Sequence, residues 1–331
     1  MRALAYAKAH ALQAYAIQEM QVAEPELRDA DLLVDIRAVG VNPGEALIRS
    51  LRSAEAGGRV ILGWEFAGVV LKVGATVRGF AVGDRIMGTG DVSRDGCWAE
   101  RLAVDHRLVS KIPDQLAFVD AASLPIGSLT AWEAMFRHCD ALPSGVDRVL
   151  VVGGAGGVGS MAIQLLKART DAFVISTASR PESKAWCGSL GSDLVVDHSE
   201  DVVDQITAAG IHHVDMVVST AGTAENLDWI ASLLRPFGHL SAVDIGSPLD
   251  LSPIVSRSVT LHTEMVFAKV INGFDLGSPG KILADVADRV IAGELSPIVS
   301  TRLQGLTAET MKIAHERLES RRTVGKIVIA V

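Results

Sequence analysis

The chain has 331 residues, 49% of them hydrophobic and 21% charged, with a formal charge of −8. That length suits two domains, and the balance is that of a folded globular protein rather than a disordered one. The acidic charge and the lack of any basic run argue against a nucleic-acid partner, and three scattered cysteines (Cys97, Cys139, Cys187) argue against a disulfide framework or a cysteine-rich zinc lobe.

The N-terminal stretch M-R-A-L-A-Y-A-K-A-H carries Lys8 and His10 where a signal peptide needs an apolar core. It predicts a first strand instead, and with the dispersed cysteines a cytoplasmic setting. To about residue 120 the chain reads as strands. Leu32–Val41 partly alternates, Phe66–Val73 and Trp98–Val104 are similar, and Gly63, Gly74, Gly79 and Gly83-Asp84 punctuate them. Short strands with frequent glycine turns predict a small, curled β-rich domain. Asp120–Cys139 is alanine-rich with helical spacing that Pro125 interrupts.

From Val149 the chain alternates. Strands are expected at Val149–Val152, Phe173–Thr177, Leu194–Val196, Val214–Thr220, His239–Val243 and Ser258–Val266. Helices are expected at Gly159–Arg169, Pro181–Leu190, Ser199–Ala209 and Thr223–Leu234. Parallel neighbours need such crossovers, so six strands predict an α/β, doubly wound parallel sheet. Val149–Leu166 is uncharged throughout, but its central glycines fit a strand, a turn and a helix better than a membrane span. The tail carries a helix, strand-like runs at Ser296–Leu303 and Lys326–Val331, and a helix between them; it is expected to rejoin the first domain.

The stretch V-L-V-V-G-G-A-G-G-V-G-S (Val149–Ser160) holds the first chemical signal. Gly154, Gly156 and Gly159 form G-x-G-x-x-G between a predicted strand and a predicted helix, the context that makes this pattern a dinucleotide fingerprint. The first glycine permits the turn, the second admits the pyrophosphate, and the third lets helix and strand pack. Gly157 and Val158 complete the cradle at the helix N-terminus, where free N–H groups favour an anion. A dinucleotide without a 2′-phosphate usually meets an acid about 20 residues on. Here Ser176 stands 22 residues after Gly154, in I-S-T-A-S-R-P-E-S-K, with Ser179, Arg180 and Lys184 following. Serine and arginine donors suit a phosphate, so the expected cofactor is NADPH. Ser219, Thr220, Ile245, Val266 and Phe267 lie at the ends of late strands, where ligands bind such sheets, and are expected on the nicotinamide side.

Several segments resemble the medium-chain dehydrogenase/reductase superfamily. They are the glycine stretch, P-D-Q-L-A-F-V-D-A-A-S-L-P-I-G-S-L-T-A-W (Pro113–Trp132), L-G-W-E-F-A-G-V-V (Leu62–Val70), V-G-D-R-I (Val82–Ile86) and the closing G-K-I-V-I (Gly325–Ile329). S-R-P-E-S-K-A-W (Ser179–Trp186) is most similar to the quinone oxidoreductase branch often labelled zinc-type alcohol dehydrogenase-like. The resemblance implies a GroES-like catalytic domain (residues 1–122 and 268–331), an NADPH-binding Rossmann domain (residues 123–267) and a homodimer. It also implies that Asn42 of V-N-P and Thr130 of L-T-A lie by the nicotinamide, that His198 stacks by the adenine, and that Lys326 belongs with the cofactor contacts.

Zinc members of that family place ligands where this chain has Asn42, Trp64 and Ile126–Gly127, and their proton-relay hydroxyl aligns with Gly44. A catalytic zinc needs three protein ligands, so no metal is expected. Without a Lewis acid, reduction of a quinone or an α,β-unsaturated carbonyl asks least of the protein. Asn42 is the expected amide contact to a cofactor or substrate oxygen, and Trp64 an apolar pocket wall. Glu65 is expected to pair with a buried arginine, Arg49 being the candidate, with a catalytic acid role as the other reading. Glu45 is read either likewise or as exposed, and Cys97 as a thiol at the surface without a base. Three alternatives stay open from sequence: a zinc alcohol dehydrogenase, a non-catalytic crystallin-like nucleotide binder, and an enoyl reductase serving one biosynthetic intermediate.

Overall fold

The computed structural model of the chain describes residues 1–137, 140–244 and 248–331. They form two compact units, one from Met1–Ile126, Phe267–Gly293 and Pro297–Val331, the other from Gly127–Val266 and Glu294–Ser296.

The first unit opens with β1 (Arg2–Ala5), β2 (Gln18–Gln21) and the long β3 (Asp31–Val41), then α1 (Pro43–Leu51). Next come β4 (Glu65–Val73), β5 (Arg85–Thr89), β6 (Arg101–Asp105), β7 (Val109–Lys111) and the short α2 (Phe118–Ala121). The chain continues through α3 (Pro125–Met135), which Pro125 opens without loss because a first-turn N–H has no helical partner.

The second unit alternates as the sequence pattern demands. It runs β8 (Arg148–Val152), α4 (Gly157–Arg169), β9 (Phe173–Thr177), α5 (Pro181–Ser189), β10 (Leu194–Val196) and α6 (Val202–Ala208). It continues with β11 (Val214–Ser219), α7 (Thr223–Leu233), β12 (Leu234–Ala242), α8 (Ser252–Val255) and β13 (Thr260–Thr263). The six strands pair in parallel, in the order β10-β9-β8-β11-β12-β13. This is the Rossmann arrangement, and its order reverses between β8 and β11, where such sheets open a crevice for ligands. Val149, Leu150, Val151, Val174, Ile175 and Val217 are fully buried, as strands covered on both faces require. The uncharged run from Val149 is thus a core strand feeding α4, and among the described residues no helix is long and apolar enough to cross a membrane. Several boundaries differ from expectation: α4 starts at Gly157 rather than Gly159, α6 at Val202 rather than Ser199 and β12 at Leu234 rather than His239, and the last strand shrinks to Thr260–Thr263.

The tail returns to the first unit through α9 (Ala268–Asn272), α10 (Ser278–Ile291), β14 (Val299–Gln304), α11 (Ala308–Glu319) and β15 (Lys326–Ala330). There β15 inserts between β14 and β3 in a seven-stranded GroES-like sheet ordered β14-β15-β3-β4-β5-β7, with β6 also on β3. Leu32, Val34, Phe66, Ile86, Trp98, Ile327 and Ile329 fill its core. Gly40 on β3 is required locally: a Cβ there would run into the Glu65 carboxylate and Ala122 O.

Candidate functional site

In the second unit the glycine loop leaves β8 with Gly153 at φ +77°, a conformation side chains rarely adopt. Gly153 N–H donates to Thr177 Oγ1 (3.0 Å) and Gly154 N–H to Thr177 O (3.1 Å), so the loop hangs on the end of β9. A Cβ on Gly154 would stand 2.7 Å from Ser176 Cβ, and one on Gly159 would collide with Gly153 O. Both glycines therefore answer to internal packing. Gly156 does not: its backbone is extended, and a Cβ would meet Gly153 O at 3.5 Å, an ordinary contact. Its bareness faces outward, as close approach of a pyrophosphate demands. Gly156 is also the N-cap of α4 and brings no side-chain acceptor, which leaves the first N–H groups, Gly157 and Val158 among them, for an anion. These features fit a dinucleotide.

Just past β9, Ser179 and Arg180 are half-buried, and Arg180 pairs with Glu182 at 3.1 Å. Lys184 pairs with Asp197, just past the end of β10, at 2.7 Å. Ser176, placed among the phosphate donors from sequence, is fully buried with its hydroxyl 2.8 Å from Ser192 Oγ; it packs under the loop rather than facing a ligand. His198 is exposed after β10. At the switch point, Thr220 Oγ1 donates to Val152 O (2.8 Å), and Ser219 Oγ accepts from Thr223 Oγ1 (2.7 Å). Thr130 is buried on α3, and Val266 is half-buried. Ile245 lies outside the described residues.

In the first unit a buried polar ring forms where β3 ends, β4 starts and β15 starts. Lys326 Nζ donates to Asn42 Oδ1 (2.6 Å) and pairs with Glu65 Oε2 (2.7 Å), while Asn42 Nδ2 donates to the same Glu65 oxygen (3.0 Å). A donor-only lysine and an acceptor-only carboxylate leave the amide a single orientation. Glu65 Oε1 accepts from Ile126 N–H (2.8 Å). Glu45, third residue of α1, reaches back to accept from Asn42 N–H (2.8 Å) and from Trp64 N–H (3.0 Å). Asn42, Glu45, Trp64, Glu65 and Lys326 are each buried.

Four sequence readings change here. Glu65 pairs with Lys326 and not with Arg49, whose guanidinium turns from α1 to α11 and meets His315 Nδ1 (2.7 Å) and Glu319 (2.6 Å). Glu45 is not exposed, because capping draws it inward; burial pushes its carboxyl up to about 7. Cys97 is not a surface thiol: it is fully buried, its Sγ donates to Glu65 O (3.4 Å), and burial raises its pKa further. Lys326, read as a cofactor contact, lies inside the ring and holds Asn42 and Glu65. The sequence sign was a lysine opening the apolar run K-I-V-I-A, which a buried strand tolerates only beside a carboxylate.

Trp64 is buried with its ring edge-on to Phe267 (centroids 5.9 Å apart), and its Nε1–H has no partner among the described residues. Gly90 makes room for it, since a Cβ there would lie 3.0 Å from Trp64 Cδ1. Zinc does not fit this donor set. An amide, an indole and Ile126 occupy the ligand positions, and the Lys326 ammonium already neutralises Glu65. Among the described residues no three His, Cys, Asp or Glu side chains gather as a metal-holding group.

Two family models match the chain: an alcohol dehydrogenase GroES-like domain over residues 28–114 and a zinc-binding dehydrogenase domain over residues 157–282. A zinc-type alcohol dehydrogenase-like protein of Staphylococcus aureus strain MSSA476 is 32% identical over 315 residues, covering 93% of each chain. The 2-methylene-furan-3-one reductase of Solanum lycopersicum is 28% identical, covering 94% of this chain and 74% of that one. A candidate zinc-dependent alcohol dehydrogenase from Rhizobium etli CFN 42 superposes with a TM-score of 0.96 at 35% identity, covering 100% and 98% of the two chains. The quinone oxidoreductase of Coxiella burnetii gives 0.83 at 25% identity (100% and 99% covered), and a mycobacterial protein crystallised with NADPH gives 0.84 at 26% (100% of both). Fold, glycine loop and relatives agree, and the chain belongs to the medium-chain dehydrogenase/reductase superfamily of oxidoreductases.

Proposed function

We propose that the chain is an NADPH-dependent, zinc-free reductase of quinones or α,β-unsaturated carbonyl compounds. The observation that carries this reading is the Lys326–Asn42–Glu65 ring, which puts a fixed ammonium and a neutral amide where zinc members of the family keep a metal. Removing a proton from an alcohol needs a Lewis acid or a base. The Asn42 amide and the Trp64 indole N–H are neutral donors instead, suited to an oxygen that gains negative charge. Lys326 and Glu65 hold the Asn42 amide so that its second Nδ2 hydrogen can point at such an oxygen. The glycine loop and the start of α4 bind the pyrophosphate, and Thr130, Ser219, Thr220, Val266 and Phe267 are assigned to the nicotinamide side. The nicotinamide, when bound, supplies the hydride.

Relatives named for a quinone and for an unsaturated ketone support both acceptor classes, and the NADPH-bound mycobacterial structure supports the cofactor. The test is NADPH oxidation by purified protein with 1,4-benzoquinone, 9,10-phenanthrenequinone and methyl vinyl ketone, alongside metal analysis. Turnover without stoichiometric zinc is expected. Stoichiometric zinc with zinc-dependent alcohol oxidation would overturn the proposal, and tight NADPH binding with no turnover on any acceptor would favour a non-catalytic role.

A further inference from the structure

β9 ends at Thr177, and no carboxylate follows it in A-S-R. The neighbouring strand brings one. Val196 of β10 pairs with Thr177, and Ala178 N–H donates to Val196 O (2.9 Å), so Asp197 lies alongside Ala178 and Ser179. Its backbone is clamped by Gln205: Asp197 N–H donates to Gln205 Oε1 and Gln205 Nε2 donates to Asp197 O, both at 2.8 Å. Its carboxylate is engaged at both oxygens. Oδ1 accepts from Ser199 N–H (2.9 Å) and Ser199 Oγ (2.6 Å), and Oδ2 meets Lys184 Nζ (2.7 Å). Lys184 and Ser199 hold this carboxyl well below the usual carboxylate range, so it stays an anion at neutral pH. With its oxygens so occupied, Asp197 is poorly placed to accept from a ribose 2′-hydroxyl.

We propose that Asp197 is a positioning residue for cofactor choice: it holds the Lys184 ammonium beside the end of β9, where Lys184 meets the 2′-phosphate of the dinucleotide. A lysine in the first turns of a helix otherwise sweeps solvent on four rotatable bonds, and fixing it beforehand removes that cost from binding. Asp197 accepts one of the three ammonium hydrogens and the phosphate takes the others. Glu182 does not do the same for Arg180, because its side chain is 61% exposed and such pairs hold weakly. The inference rests on the NADPH reading above.

The test is calorimetric binding of 2′,5′-ADP and of 5′-AMP to the full chain, so that the nucleotide alone is read and no turnover is needed. Wild type should prefer 2′,5′-ADP. Lys184→Gln should weaken 2′,5′-ADP on the order of tenfold, the worth of one charge-assisted hydrogen bond, and leave 5′-AMP unchanged. Asp197→Asn should weaken 2′,5′-ADP about three- to fivefold, and Ser199→Ala less, again sparing 5′-AMP. In a Lys184→Gln background Asp197→Asn should add nothing. Tighter or unchanged 2′,5′-ADP binding in Asp197→Asn, equal loss for both nucleotides, or additivity with Lys184→Gln would each overturn the positioning role. Should Asp197→Asn fail to fold, Ser199→Ala and Lys184→Gln decide it by the same comparison. A wild type with no preference for 2′,5′-ADP would instead overturn the cofactor reading itself.

Discussion

Glu45 and Glu65 sit in one buried ring with one lysine, and the lysine belongs to Glu65. Glu45 has two backbone N–H groups to accept from, but burial outweighs them and the nearby Glu65 adds to the rise, so its carboxyl titrates at about 7 against an ordinary 4.5. A folded pKa above the unfolded one means that the fold gains stability from the bound proton. That gain is complete below pH 4.5 and is lost as pH rises through 7. Between pH 5 and 8 the stability of wild type relative to Glu45→Gln should fall by roughly 2–3 kcal/mol, read by urea unfolding at both pH values. A difference independent of pH would refute the assignment. Lys326→Met tests the other half of the ring. It strands Glu65 as a fully buried anion, which should cost about 3–5 kcal/mol, whereas Lys326→Met with Glu65→Gln should recover most of that loss. Denaturant midpoints of the two variants make the comparison. Asn42 and Trp64 were legible in the sequence as places where zinc ligands had been replaced, and Glu65 as a buried carboxylate in need of a cation. The lysine that completes them was not, because its partner Asn42 is 284 residues away and no local pattern links the two.

Elements were easier to read than side-chain partners. Alternating strands and helices gave the six-stranded sheet, since parallel pairing leaves few other solutions. The residue pattern G-x-G-x-x-G assigns its three glycines separate tasks, and the packing around Gly156 and Gly159 tells two of those tasks apart. Gly159 is locked by contact with Gly153 and Gly154, so Gly159→Ala should overpack the β8–α4 corner and cost about 1–3 kcal/mol of stability. Gly156 is extended and uncrowded. Gly156→Ala should leave the thermal midpoint nearly unchanged while weakening NADPH binding more than about tenfold, because the added methyl stands where the backbone must approach phosphate. Fluorescence titration with NADPH and a melting curve on each variant distinguish the two. A Gly156→Ala protein that binds normally would remove this loop from the cofactor site. Ser176 shows the limit of spacing arguments: its distance from Gly154 is right for a ribose contact, but β9 is covered on both faces and Ser176 packs beneath Gly154.

At the scale of the whole molecule, the threading of the first unit decides how it is held. The chain leaves that unit after Ile126 and re-enters at Phe267, and the strand that completes its sheet, β15, is among the last to be made. β15 is not an edge addition. It pairs parallel with β14 and antiparallel with β3, from Ile327 against Val41 to Ala330 against Ala38. Contacts this distant in sequence form late and close large loops. The same strand delivers Lys326 to Asn42 and Glu65, so one short segment both closes the sheet and sets the polar ring. Truncation after Val324 should therefore do more than Lys326→Met. It removes the buried Ile327, Val328 and Ile329, exposes the Ala38–Val41 stretch of β3, and leaves Glu65 without its cation. At about 2–5 kcal/mol for each large apolar side chain lost, the deficit is comparable with the whole 5–15 kcal/mol that holds a typical domain. Limited proteolysis should then cut the truncated chain within residues 1–126 at temperatures where full-length Lys326→Met resists cleavage. Equal resistance of the two would show that the sheet does not depend on its final strand.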